Sequence, residues 1–441
     1  MKRALIFLVL FVVTSGTALA EFPEKIIIGK RTIECMTVKE LREIDPKVAD
    51  IPWKDNAARV LVEAMNAYEK PSEALEDKRY EGAKAFGFGE HADEVRAHLA
   101  KNEHVFRLLK QAEAMPRCVF PMHRAEIAMM ALLPQCAYYQ QFARALQARA
   151  VLHFAEGKHA EAIEDCLLAI RLGRRLHGGY CLIEHLVALA VEHLGTRTLD
   201  RIVASGKLTD AALASLAKHL NALPPAGGDY ARAMRYERWA SLRTVDDIEK
   251  YGPEKVVGPM ADITGKNRFP QDPLERLQWR VRYSAAAARK NLNEVFDFID
   301  AGAKKSVREA LKPENNLHDF FMKHLDRWDP LTRILMPAYP AAGVHTAKSQ
   351  AEFDALRLRI ALERHKLARK KYPDKLDALT PKYLAKVPID PFSGKPYRYR
   401  LDRGKGFLIW SIGEDLKDNN GESDAANPWK GPDYTYTAKP K

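Results

Sequence analysis

Residues 140–170 read Gln140-Gln141-Phe142-Ala143-Arg144-Ala145-Leu146-Gln147-Ala148-Arg149-Ala150-Val151-Leu152-His153-Phe154-Ala155-Glu156-Gly157-Lys158-His159-Ala160-Glu161-Ala162-Ile163-Glu164-Asp165-Cys166-Leu167-Leu168-Ala169-Ile170, and their spacing decides the fold class. Ala143, Leu146, Ala150 and Phe154 recur at three- and four-residue intervals, which places them on one face of a helix. Gly157 stands where a helix closes with a left-handed residue. Ala160, Ile163, Leu167 and Ile170 then open a second helix of the same period. Two helices joined by so short a turn run antiparallel and bury their apolar faces against each other. The chain is therefore read as mainly α.

The same period extends outward. Val60, Ala64, Ala67 and Tyr68 share a helical face, and Pro71-Ser72 ends that helix. A further helical segment is predicted over 92–115, with Val95, Leu99, Phe106 and Leu109 as its apolar positions. Residues 21–55 carry one β-like run, Lys25-Ile26-Ile27-Ile28, followed by Asp45-Pro46 and Ile51-Pro52-Trp53, and are read as an extended arm. Downstream, 230–248 and 274–311 are helical. The Gly- and Pro-rich stretch 251–273 between them reads as a loop, and 315–340 as an aromatic-rich connector. The helical body is placed at 56–340.

Within that body, the spacing Ala150, Gly157, Ala162 and Ala169 resembles a tetratricopeptide repeat, whose small residues let paired helices approach closely. A second copy follows 49 residues on, where Gly206-Lys207, Asp210, Ala211 and Leu216 repeat Gly157-Lys158, Glu161, Ala162 and Leu167. Two uneven copies fall short of the roughly three that a self-standing solenoid needs. The body is thus a helical-hairpin, tetratricopeptide-like domain rather than a repeat array.

The last quarter changes character. A helical run near 349–370 gives way to Lys371-Tyr372-Pro373-Asp374-Lys375-Leu376 and then Ile389-Asp390-Pro391-Phe392-Ser393-Gly394-Lys395-Pro396-Tyr397. Tyr397-Arg398-Tyr399-Arg400 and Phe407-Leu408-Ile409-Trp410 read as strands joined at Asp402-Arg403-Gly404-Lys405-Gly406. After them come Ser411-x-Gly413-x-Asp415, Gly421-Glu422, Asp424 and Trp429. Over 343–430 this order resembles the globular part of type II secretion major pseudopilins, which implies a small α+β domain with a long helix on an antiparallel sheet. Residues 431–441 are read as a flexible tail. The pattern from the helical hairpin through Leu223-Pro224-Pro225 to Pro396 also resembles large secreted proteins of planctomycete-type bacteria, a likeness that brings no activity with it.

The acidic loop is the one candidate ion site. Asp415, Asp418, Asn419, Asn420, Glu422, Ser423 and Asp424 crowd hard oxygen donors together, as Ca²⁺ requires. An EF-hand register fails, because Gly421 at the sixth position puts Leu416 first and Asn427 twelfth. Pseudopilins hold structural Ca²⁺ in the corresponding loop, and the resemblance implies Asp415 and Asp424 as ligands with Asp418 as a third. The loop departs from the family in being shorter and in carrying Asn419-Asn420 in place of part of a glycine run. No prepilin-type methylation motif opens the chain.

Lys2 and Arg3, the apolar run 4–13 and Thr17-Ala18-Leu19-Ala20 have the form of a secretory signal peptide, 1–20, and predict an exported protein without a membrane span after cleavage. Loss of Lys2 and Arg3 lowers the formal charge from +12 to +10. The basic residues are scattered among acidic ones, which suits a solvated surface or contact with acidic cell-wall polymers, and export argues against nucleic acid. Of Cys35, Cys118, Cys136, Cys166 and Cys181, the pair Cys118 and Cys136 could close a loop, while buried free thiols are the default reading. His185 and Glu192 lie two turns apart on one helix, wider than the one-turn spacing of helical zinc ligands. There is no G-x-S-x-G, Walker loop, G-x-G-x-x-G or zinc-type cysteine pair. The expected function is an exported, non-catalytic interaction or scaffold protein of the cell envelope that binds a protein or peptide. The alternatives are an envelope hydrolase with a carboxylate or metal site in the helical body, and an accessory subunit of a secretion or pilus-like apparatus.

Overall fold

A computed structural model describes residues 23–48, 51–177, 179–224, 230–259, 269–312, 315, 317, 319–320, 329–335, 339–402, 406–424 and 431–438. The signal-peptide reading, the turn at 403–405 and Trp429 lie outside these residues. The chain is mainly helical with a small antiparallel sheet region near its C-terminal end.

The N-terminal segment is more structured than an extended arm. β1 (Lys25–Ile28) and β2 (Arg31–Glu34) form a hairpin in which Ile26 faces Ile33. Ile26, Ile28 and Ile33 are buried against the helical body, which fixes the ribbon in place. α1 (Val38–Ile44) follows, opened by a capping box between Thr37 and Glu40.

α2 (Ala57–Ala67) starts at Asn56, whose side chain accepts from Ala58 N–H. α3 (Glu73–Ala85) starts at Ser72, which accepts from Leu75 N–H. The serine after Pro71 therefore begins a helix as well as marking the end of the previous one. The segment 92–115 divides into α4 (Ala92–Lys101) and α5 (Glu103–Ala114). The break is at Asn102, fully buried, whose amide bonds both Glu69 N–H and Glu69 C=O.

α6 (Pro134–Ala155), α7 (His159–Leu176), α8 (Leu182–Ala204) and α9 (Asp210–Asn221) form the centre of the body. Tyr139, Phe142 and Phe154 are buried in it, while Tyr138 is half-buried at its edge. α7 and α8 touch closely because of two glycines. A Cβ on Gly173 would stand 2.9 Å from the Ala188 carbonyl oxygen, and one on Gly195 would stand 2.8 Å from that of Cys166. Close approach is thus secured at Gly173 and Gly195, one turn or more beyond the small residues singled out by spacing.

α10 (Tyr230–Tyr251), α11 (Pro253–Val257), α12 (Pro273–Arg282), α13 (Ala285–Ala303), α14 (Val307–Ala310) and α15 (Pro330–Leu335) follow. α10, α12, α13 and α15 enclose a second apolar cluster that includes Met234, Trp279, Leu292, Phe296 and Leu331. α16 (Tyr339–Arg369) is the longest helix and begins ten residues before the expected start at 349. One face packs Phe353, Leu356 and Ile360 onto the α7–α9 core. Another face packs Leu358, Ala361 and Leu362 beneath the C-terminal sheet. The boundary read between 340 and 343 falls inside this helix.

The sheet has the order β3 (Arg398–Asp402), β4 (Gly406–Ser411), β5 (Tyr434–Thr437), all antiparallel. β5 lies in the span expected to be a flexible tail. It pairs Tyr434 with Ser411 and Tyr436 with Ile409, and Tyr434 is buried, so ladder bonds and aromatic burial hold it. Asp390 explains its own motif: its buried carboxylate accepts from Phe392 N–H, Ser393 N–H and Ser411 Oγ at 3.1, 3.2 and 2.7 Å. No helix among the described residues is long and apolar enough to cross a membrane.

Candidate functional site

The turns of the α6–α7 and α8–α9 hairpins are made by Gly157 and Gly206, with φ of +77° and +71°. Gly157 bears out the helix-ending role read for it, and Gly206 closes α8 in the same left-handed conformation. The hairpins leave an open groove of about 420 Å³ between α7 and α9. Leu167, Leu208 and Leu216 form its buried floor, with Ile163 and Ala212 half-buried beside them. His159, Glu164, Lys207 and His219 stand on the rim. The groove thus sets an apolar floor inside a polar rim that holds one carboxylate, Glu164, and one ammonium, Lys207.

A second opening, about 270 Å³, lies where α3, α6 and α8 meet. Ala190, Val191 and Leu194 of α8 supply an apolar wall, and Tyr80 a half-exposed aromatic edge. Arg79 and Arg144 line the opposite side and share one carboxylate, Glu76. Arg144 Nη1 donates to Glu76 Oε1 at 2.8 Å, and Arg79 Nη2 bonds the other oxygen. Arg79 is only 2% exposed. It also donates to Tyr68 Oη and Gln141 Oε1, yet its Nε has no hydrogen-bond partner.

Between the hairpin and α16 runs a buried polar seam. Glu192 receives His177 Nε2 at 2.5 Å and pairs with Arg174 Nε at 2.9 Å, although that N–H is not aimed at the oxygen. His177 Nδ1 lies 3.3 Å from His185 Nδ1, and His185 Nε2 lies 2.9 Å from Thr346 Oγ1 on α16. About two turns along, His193 Nδ1 meets Glu352 Oε2 at 2.7 Å. A hydroxyl, two imidazoles and a carboxylate in series can relay a proton. His177, His185 and Glu192 are all at least 95% buried and line neither opening, so the chain's geometric effect is to fasten α16 to α7 and α8. Sequence spacing brought His185 and Glu192 to attention as a metal pair. The structure brings Glu192 to His177 and Arg174 instead.

Glu237 and Asp354 are buried carboxyls elsewhere in the body. Burial pushes Glu237 up to about 7, against the opposing bond from Leu182 N–H. Burial also raises Asp354, despite Gln350 and Arg357 beside it. Neither lines the groove or the notch.

The acidic loop follows β4. Asp415 Oδ1 accepts from Lys417 N–H at 3.0 Å and Oδ2 from the Asn419 amide at 3.2 Å. Asp418 accepts from Trp410 Nε1 and Arg398 Nε at 3.0 and 2.8 Å, and these two bonds hold its carboxyl below the usual range. Asp424 is exposed. A residue outside the expected set organises the loop. Asp433, fully buried just before β5, accepts from Asn419 N–H and Gly421 N–H at 3.3 and 2.7 Å. Among the described residues no three His, Cys, Asp or Glu side chains converge so as to hold a metal ion.

All five cysteines are free thiols, four of them buried. Comparison with protein-family models, with curated proteins and with solved structures returned no match.

Proposed function

We propose that this chain is an exported, non-catalytic interaction protein of the cell envelope that binds an extended or helical segment of a partner protein. The observation that carries this reading is the groove between α7 and α9. Its floor of Leu167, Leu208 and Leu216 is apolar and its rim carries Glu164 and Lys207 beside His159 and His219. Such a surface buries apolar side chains of a partner while the rim sets register. The raised carboxyls Glu237 and Asp354 stand away from the groove, which favours binding over hydrolysis there.

We also read 343–430 as similar to the globular part of major pseudopilins. What supports this is a long helix under a three-stranded antiparallel sheet with an acidic loop after the central strand.

The test places a photo-crosslinking side chain at Ala160, on the groove, and at Glu249, on α10, in the full-length protein within its native cells. A discrete adduct at Ala160 that is lost on Ala212→Trp, which fills the groove, is the expected result. Equal labelling at both positions, or an adduct indifferent to Ala212→Trp, would sink the reading.

A further inference from the structure

The notch between α3, α6 and α8 is chemically unlike the groove, and nothing argued for the groove uses it. We infer that it is a binding site for a small apolar molecule held by its carboxylate. Charge is the first reason. Among the described residues that line the notch, two guanidiniums face a single carboxylate, Glu76. One positive charge there is left without a counter-charge. The lining imidazole, His193, is engaged by Glu352 of α16.

Donor geometry is the second reason. Glu76 takes one N–H from Arg144, whose side chain is 41% exposed, so the rest of its planar fork remains open to a ligand. A guanidinium fork matches a carboxylate with two parallel bonds, and such charge-assisted bonds are about twice as strong as neutral ones. Arg79 is held rigid behind it by Tyr68, Glu76 and Gln141, with a buried N–H still unpartnered. A fixed, buried cation next to a half-exposed one costs little to organise when an anion arrives.

The third reason is the wall. Ala190 and Leu194, backed by the buried Val191, give the ligand's apolar body a surface to lie against, across from the arginine side. At about 270 Å³ the notch lies just below the usual range for ligand sites, which begins near 300 Å³. It therefore suits a short acyl or aryl carboxylate rather than a long chain.

The experiment titrates the full-length protein calorimetrically with hexanoate, with hexanamide, and with acetyl-leucine as a stand-in for a peptide's C-terminal end. Saturable hexanoate binding at least about tenfold tighter than hexanamide is expected, as is fitting for loss of a charge-assisted pair. Arg144→Gln should remove that acid-over-amide preference, and Arg144→Lys should restore only part of it. Circular dichroism identical to the parent protein keeps the variants interpretable, and Tyr80→Ala provides a second, surface-accessible change that should weaken hexanoate and hexanamide alike and leave the acid-over-amide preference in place. Equal affinity for acid and amide, or an acid preference that survives Arg144→Gln, overturns the inference. Acetyl-leucine binding tighter than hexanoate would replace a free acid by a peptide end and overturn the small-molecule assignment. Labelling at Ala160 is untouched by any of these outcomes, so the two readings stand or fall separately.

Discussion

At the residue scale, the buried ionisable groups differ in what they do to stability. Glu237 sits beneath the first turn of α8, where its carboxyl accepts from Leu182 N–H. Burial raises it from 4.5 to about 7, so the folded chain holds this proton more tightly than the unfolded one. Its contribution is therefore fully present below pH 4.5 and is lost as pH rises through about 7. The loss over that window amounts to at most about 3–4 kcal/mol, at about 1.4 kcal/mol per unit. Glu237→Gln keeps an oxygen for Leu182 but has no proton to lose. Urea denaturation across this window should show the variant gaining on the parent protein as pH rises. A difference between the two that stays constant with pH would show that Glu237 ionises in the folded chain as freely as in the unfolded one.

At the scale of elements, Arg359 joins three of them. It is 1% exposed, pairs with Asp200 of α8, and donates to the carbonyls of Ala438 and Thr437 at 3.0 and 2.6 Å. That single side chain ties α16 to the body on one side and to β5 on the other. Arg359→Met retains volume but leaves a carboxylate and two carbonyls without their donor. Removing one partner of a buried pair costs about 3–5 kcal/mol. Arg364→Met, which breaks a pair with the half-exposed Asp210, should cost under about 1 kcal/mol. Urea midpoints of the two variants decide the matter, and similar small losses would mean that β5 is held by its ladder alone.

At the scale of the molecule, α16 belongs to two cores. Phe353, Leu356 and Ile360 complete the cluster made by α6 to α9, while Leu358, Ala361 and Leu362 support the sheet. A helix shared in this way couples the unfolding of both parts. Thermal unfolding followed by far-UV and near-UV signals should therefore give one coincident transition. Phe353→Ala, which empties a buried aromatic site, should lower that whole transition by about 3–5 kcal/mol. If only a fraction of the signal moves, the C-terminal part unfolds on its own and the coupling is absent.

Local information was enough for the helical class, the α6–α7 hairpin, its Gly157 cap and the two strands on either side of the turn near 404. Period and capping are properties of neighbouring residues, and they survive in any tertiary setting. They also sufficed to exclude familiar catalytic motifs. What lay beyond them depends on residues far apart in the chain. Glu76 and Arg144 meet across two helices, as do His185 and Thr346, and no spacing rule links either pair. Tyr-Thr-Tyr-Thr at 434–437 is too short and too close to the terminus to read as more than a tail until β4 provides a ladder for it. The acidic loop shows the same division. Its carboxylates were plain in the sequence, but Trp410, Arg398 and the buried Asp433 decide where their oxygens point. Composition states which charges exist, and only packing states which of them are already answered by a partner.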